Sequence, residues 1–136
     1  MKHNIQIPLK VAFILLVILT SFACSKKPTE ILFKSLDAAR AKKRDQFMQV
    51  LEDLRAIDSA TDQYATENNK ATGTTVVWSD IKKYIKLGTR LYNSNNTDIF
   101  GNSFTITSVD VTPKVSEKTY SALSDVAPAD VWAPFR

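Results

Sequence analysis

Apolar residues fall into three patterns along this chain. From Val11 to Ala23 (VAFILLVILTSFA) an unbroken run of 13 positions carries no charge. Farther on, Phe47, Val50, Leu51, Leu54, Ile57, Ala60, Tyr64 and Ala65 recur at steps of three and four, which places them on one stripe of an α-helix facing a core. Between Phe104 and Val111 (FTITSVDV) the pattern shortens towards alternation, with Phe104 and Ile106 on one face and a change of phase near Ser108, as expected of a β-strand carrying a bulge.

Turn and cap residues divide the chain between these patterns. No glycine or proline occurs from Thr29 to Asn69, so a single helix is expected there, about 60 Å long at about 1.5 Å per residue. Asp37 to Gln46 lacks an apolar stripe and is expected to project. Asn68 to Gly73 (NNKATG) stops the helix. Trp78 to Gly88 (WSDIKKYIKLG) predicts a second helix capped by Ser79, with Asp80 in its first turn and Ile81, Tyr84 and Ile85 buried. Tyr92 to Asp98 reads as a polar loop. Ser116 is placed to cap a third helix, with Val115 and Tyr120 spaced as a hydrophobic staple. Trp132 and Phe135 are expected to plug an edge of the core from an irregular tail.

The first run decides where the protein resides. A membrane-spanning helix needs about 20 apolar residues, and Lys10 prevents this one from extending upstream. Its length suits the apolar region of a secretory signal, and Ser21 and Ala23 are small residues at the −3 and −1 positions of a cut before Cys24. The segment Ser21-Phe22-Ala23-Cys24 resembles the lipobox of bacterial lipoproteins, usually Leu-(Ala/Ser)-(Gly/Ala)-Cys, matching at Ala23 and Cys24 and differing at Ser21 and Phe22. That resemblance implies a diacylglycerol on Cys24, removal of residues 1–23 and acylation of the new N-terminus. Cysteine usage agrees: Cys24 is the only one, so it has no internal disulfide partner, and acylation removes an exposed thiol from an oxidising compartment. Ser25 rather than Asp after the cysteine implies, by the same resemblance, the outer membrane facing the periplasm.

A second resemblance lies in the middle of the chain. Leu54-Arg55-x-Ile57-Asp58-x-Ala60, Tyr64-Ala65-x-Glu67-Asn68, the Trp78-led short helix and the turn Asp98 to Phe104 (DIFGNSF) are together similar to type II secretion pseudopilins and type IV pilin-like proteins. The resemblance implies an α+β fold, with a long N-terminal amphipathic helix packed on a small antiparallel sheet with one or two short helices. The organisation expected is a signal peptide at 1–23, a lipid-anchor tether and projecting helix at 24–46, and a pseudopilin-like head at 47–136. The chain has no glycine before Gly73 and no acidic residue before Glu30, so it lacks the Gly-Phe cleavage site and glutamate of a prepilin stem. The aspartate-rich calcium loop of major pseudopilins is also absent from Lys114 to Arg136.

Charge refines this picture. The formal charge is +4, but residues 26–44 hold seven Lys or Arg against Glu30 and Asp37, whereas residues 45–136 hold nine basic and twelve acidic side chains. No aromatic residue interleaves with the basic cluster Lys34 to Arg44 and no nucleic-acid motif occurs, so nucleic acid is not an expected partner. A basic stretch beside a membrane anchor is attracted to anionic lipid by about 1 kcal/mol per charge; a solvated helix face is the alternative. The only histidine, His3, lies in the signal, which leaves no Cys–His or Ser–His nucleophile and no His/Cys zinc site.

Asp58 and Asp62, like Arg40 and Arg44, are four residues apart and read as solvated helix faces. Asn93, Asn95, Asn96 and Asp98 offer oxygens without the spacing of a calcium loop, and read as turn residues. Trp78 and Trp132 read as packing residues. No enzyme, cofactor or metal is expected. The function expected is that of an exported lipoprotein held to the bilayer through acylated Cys24, with a structural or protein-interaction role near a secretion or pilus system. Two alternatives stay open at this point: a divergent pseudopilin or minor pilin that keeps its apolar helix and enters a filament, and a small periplasmic ligand binder or enzyme.

Overall fold

The computed structural model describes residues 28–136; the signal peptide expected at 1–23 and residues 24–27 of the expected tether, Cys24 among them, lie outside these. Helix α1 spans Pro28–Glu67. Four short helices follow: α2 (Trp78–Ile81, continued by a 3-10 turn at Lys82–Tyr84), α3 (Arg90–Ser94), α4 (Glu117–Leu123) and α5 (Ala129–Trp132, continued by a 3-10 turn at Ala133–Phe135). The chain divides into two compact units, Met1–Asp37 and Ala38–Arg136.

Of the first unit, residues 28–37 are described, and they are helical throughout. Glu30 and Lys34 are paired at 3.2 Å across one turn, and Ser35 Oγ donates back to the Leu32 carbonyl at 2.8 Å.

The second unit is built around the apolar stripe of α1. Phe47, Val50, Leu51, Leu54, Ile57 and Ala60 are buried, with Tyr64 and Ala65 partly covered, as the 3.6-residue period requires. The helix ends where Asn69 turns left-handed (φ 50°) and the Lys70 amide reaches back to the Ala65 carbonyl at 2.9 Å. Ile81, Ile85, Leu91, Phe104, Val109, Val115, Leu123 and Trp132 complete the core. Trp132 is 1% exposed and meets the edges of Phe47 and Tyr120 at ring-centroid distances of 5.0 and 5.6 Å. It therefore sits inside the core, held on a helix rather than an irregular tail.

The antiparallel sheet expected on the pilin-like pattern is not formed. Among the described residues the extended chain makes only isolated pairings, Thr75 with Ser108, Thr97 with Ser103 and Thr105 with Lys114, so the fold is helical and not α+β. The reason is local. Residues with positive φ recur at Asn95, Asn96, Gly101 and Asp110, and the chain turns at each before a ladder can lengthen. Pro113 then removes the donor that a continuing strand would need. Phe104 to Val111 still buries Phe104 and Val109, and Val76 and Val109 each donate one backbone bond across to Thr107 and Thr74. Its β-favouring residues give pairing without a strand.

Two caps also differ from expectation. The N-cap of α2 is Val77 rather than Ser79: the Asp80 carboxylate accepts from the Val77 amide at 3.1 Å, so the helix begins two residues earlier than a Ser79 cap requires. The polar stretch after Gly88 contains α3, capped by the Thr89 hydroxyl, which accepts from the Tyr92 amide at 3.3 Å. Ser116 caps α4 as expected, accepting from the Thr119 amide at 3.1 Å.

Candidate functional site

Charged and polar side chains converge at two places in the second unit. The first is between α1 and α3. Asp53, on α1, is nearly covered, and its carboxylate forms an ion pair with the Arg90 guanidinium at the start of α3. Arg90 Nη1 also donates to the Thr97 carbonyl at 2.8 Å. Burial lowers the Arg90 guanidinium from its ordinary value, and the charge of Asp98 opposes that fall. Beside the pair lies a cleft of about 240 Å³ with an apolar floor of Ala56, Ile85 and Leu91 and a rim that includes Glu52 and Lys86. Chemically this arrangement locks α3 to α1. Both charges are spent on each other, so Arg90 is a strut rather than a cation offered to an incoming group.

The second convergence is the turn at Asp98, a residue 4% exposed. Asp98 Oδ1 accepts from the amides of Phe100 at 2.8 Å and Asn102 at 2.9 Å, closing the turn, while Oδ2 accepts from the Thr119 hydroxyl. Asn102 Nδ2 donates to the same Thr119 oxygen at 3.1 Å, tying the turn to the first turn of α4. Gly101 holds φ 80°, a conformation that glycine adopts without strain. The DIFGNSF segment is thus a fastener between the loop and α4.

The residues singled out from sequence are dispersed. The asparagines do not converge on a cation: Asn95 Oδ1 accepts from the Trp78 indole at 2.9 Å, Asn96 Nδ2 donates to the Phe104 carbonyl at 3.0 Å, and Asp98 closes its own turn. Among the described residues no group of three or more His, Cys, Asp or Glu side chains is placed to hold a metal ion. Asp58 and Asp62 share an exposed face of α1; partial burial raises the Asp58 carboxyl above its ordinary value, and the charge of Asp62 adds to the rise. Lys43 is bound by both oxygens of Asp125 at 3.0 and 2.9 Å, whereas Arg40, Lys42 and Arg44 have no acidic partner among the described residues. Trp78 is half-buried and packs on the core. Cys24 lies outside the described residues.

Reading by periodicity missed one surface. In the first unit Ile31, Leu32, Phe33 and Leu36 are exposed at 57%, 57%, 65% and 46%, a dense apolar set for solvent-facing positions. On a helix Leu32 and Leu36 stack one turn apart with Ile31 and Phe33 to either side, and the Glu30–Lys34 pair lies on the other face. The signal that could have found it is the Ile-Leu-Phe triplet inside the most basic part of the chain. Among the described residues no helix is long and apolar enough to cross a membrane.

No protein-family model, curated protein or solved structure matches this chain.

Proposed function

We propose that this protein is an exported bacterial lipoprotein, held to a membrane of the cell envelope by an acylated Cys24, with a structural or protein-interaction role. The observation that carries the reading is the sole thiol of the chain at the end of a 13-residue uncharged run, with Ser21 and Ala23 before it and Lys26-Lys27 after it. An apolar run of that length is an export signal rather than a span. The second unit supports a structural role through positive features: the buried Asp98 and Thr119 and the half-buried Asn102 and Ser116 are joined by side-chain hydrogen bonds, and Asp53 is ion-paired with Arg90. The pilin-like assignment of the head does not form part of this reading, because the sheet on which it depends is absent from the described residues.

Mass spectrometry of the N-terminal peptide from membranes tests the anchor. The expected result is a peptide that begins at Cys24 and carries acyl chains; an intact Met1–Ala23 segment, or a cut elsewhere within it, overturns the proposal. Replacement Cys24→Ser is expected to remove the acylated peptide and to leave the unprocessed precursor.

A further inference from the structure

We propose that the opening of α1, Ile31 to Leu36, seats in the headgroup layer of an anionic bilayer as an interfacial segment. This rests on the lipid-anchor reading. Four observations combine. Ile31, Leu32, Phe33 and Leu36 are exposed, whereas the Glu30–Lys34 pair occupies the opposite face, so the segment is two-sided. Two-sided helices with one apolar face and basic residues lie in the plane of the membrane interface.

The surrounding sequence, residues 26–44, carries seven Lys or Arg against Glu30 and Asp37, which complements an anionic lipid surface. Of these, Arg40, Lys42 and Arg44 have no acidic partner among the described residues, so their charge is not cancelled internally. Chain length supplies the last observation. Only four peptide steps separate Cys24 from Pro28, a reach of at most about 14 Å when fully extended. Once Cys24 is fixed in lipid, the apolar turn is confined beside the interface, where its side chains meet the hydrocarbon boundary instead of water. A second copy of the chain is the competing occupant of this face. It would gain apolar burial but would bring two basic stretches together, a repulsion that anionic lipid turns into attraction.

The test uses the full chain, produced in bacteria and reconstituted in vesicles of phosphatidylcholine with phosphatidylglycerol. Because acylation caps Cys24, Leu32→Cys, Leu36→Cys and Lys34→Cys each introduce the only free thiol, to be labelled with a dithionite-sensitive fluorophore. Labels at 32 and 36 are expected to be shielded from dithionite and quenched by lipid-borne nitroxides, while a label at 34 stays open to water. Vesicles of phosphatidylcholine alone should lose the shielding, and Arg40→Ala or Lys42→Ala should each weaken association of the segment with anionic vesicles about fivefold. Equal access at all three positions overturns the proposal. So does shielding that follows protein concentration and ignores lipid charge, since a second copy then covers the face. The mass of the labelled chain separates this from the anchor: two labels per chain sink the lipoprotein reading alone, and the contrast between positions 32, 34 and 36 is still read against a constant background.

Discussion

The two stretches of α1, residues 29–45 and residues 47–65, are both helical, yet every residue of the first is exposed whereas the second buries six apolar side chains. The first stretch is helical by composition: Ala38, Ala39, Ala41 and a run of Lys and Arg are strong helix formers, and Glu30–Lys34 adds a pair worth a few tenths of a kcal/mol, roughly 0.2–0.5. The second is helical because its stripe is packed. An isolated helix of this size is marginal in water, so the first stretch depends on continuation from the second or on an external surface.

Substitutions can break or sharpen that contrast. The largest effect is expected from Trp132→Ala, which empties the contact with Phe47 and should destabilise the second unit by about 3–5 kcal/mol in a urea titration. Leu54→Ala, at a fully buried position of the stripe, should follow at about 2–5 kcal/mol. The matching changes Leu32→Ala and Leu36→Ala should stay within about 0.5 kcal/mol in the absence of lipid. A loss as large as that of Leu54→Ala would mean that the opening turn is covered by protein after all.

Asp98→Ala removes the acceptor of two amides and of the Thr119 hydroxyl and should cost about 1–3 kcal/mol. Its effect belongs to the second unit, so labels placed at 32 and 36 should not respond to it.

The smallest effect concerns pH. The Asp58 carboxyl is raised in the folded chain, so between its ordinary value and that raised value the native state holds more protons than the unfolded state. Stability therefore falls as pH rises through that window. Asp58→Asn should abolish this fall and leave the chain slightly more stable at neutral pH, as read from thermal melts at a series of pH values. An unchanged pH profile would show that Asp62 and burial do not act on this group.

Much of the helical core was legible in the sequence because eight stripe positions repeat one period and a single segment carries them. The Ser116 cap was legible for a similar reason, since a hydroxyl three residues before an amide is a local device. The sheet was not. Phe104 to Val111 has the residue preferences of a strand, but Asn95, Asn96, Gly101 and Asp110 turn the chain too often for a ladder to grow. Helix α3 was hidden because its five residues are too few to show a period, although Thr89 after Gly88 marks its start. The pairing of Asp53 with Arg90 could not be read either, as it depends on α3 being brought against α1. The apolar opening of α1 is present in the sequence but carries no helical signal of its own, because a triplet has no period and its exposure follows only once the core has formed elsewhere.

The contact between Phe47 and Trp132 joins residues separated by most of the described chain, and this sets an order of events. The stripe of α1 emerges early from the ribosome and can coil early, but the indole that closes over Phe47 is made last of all the core residues. Until it arrives, that end of the helix presents an oily ridge with nothing to cover it. On the proposed lipoprotein reading the chain is threaded unfolded, and the delay suits that route: the piece that would lock the core too soon is the piece still being synthesised. Moving Trp132 upstream by circular permutation would let the core close sooner and, on the lipoprotein reading, should slow export before it changed the finished fold.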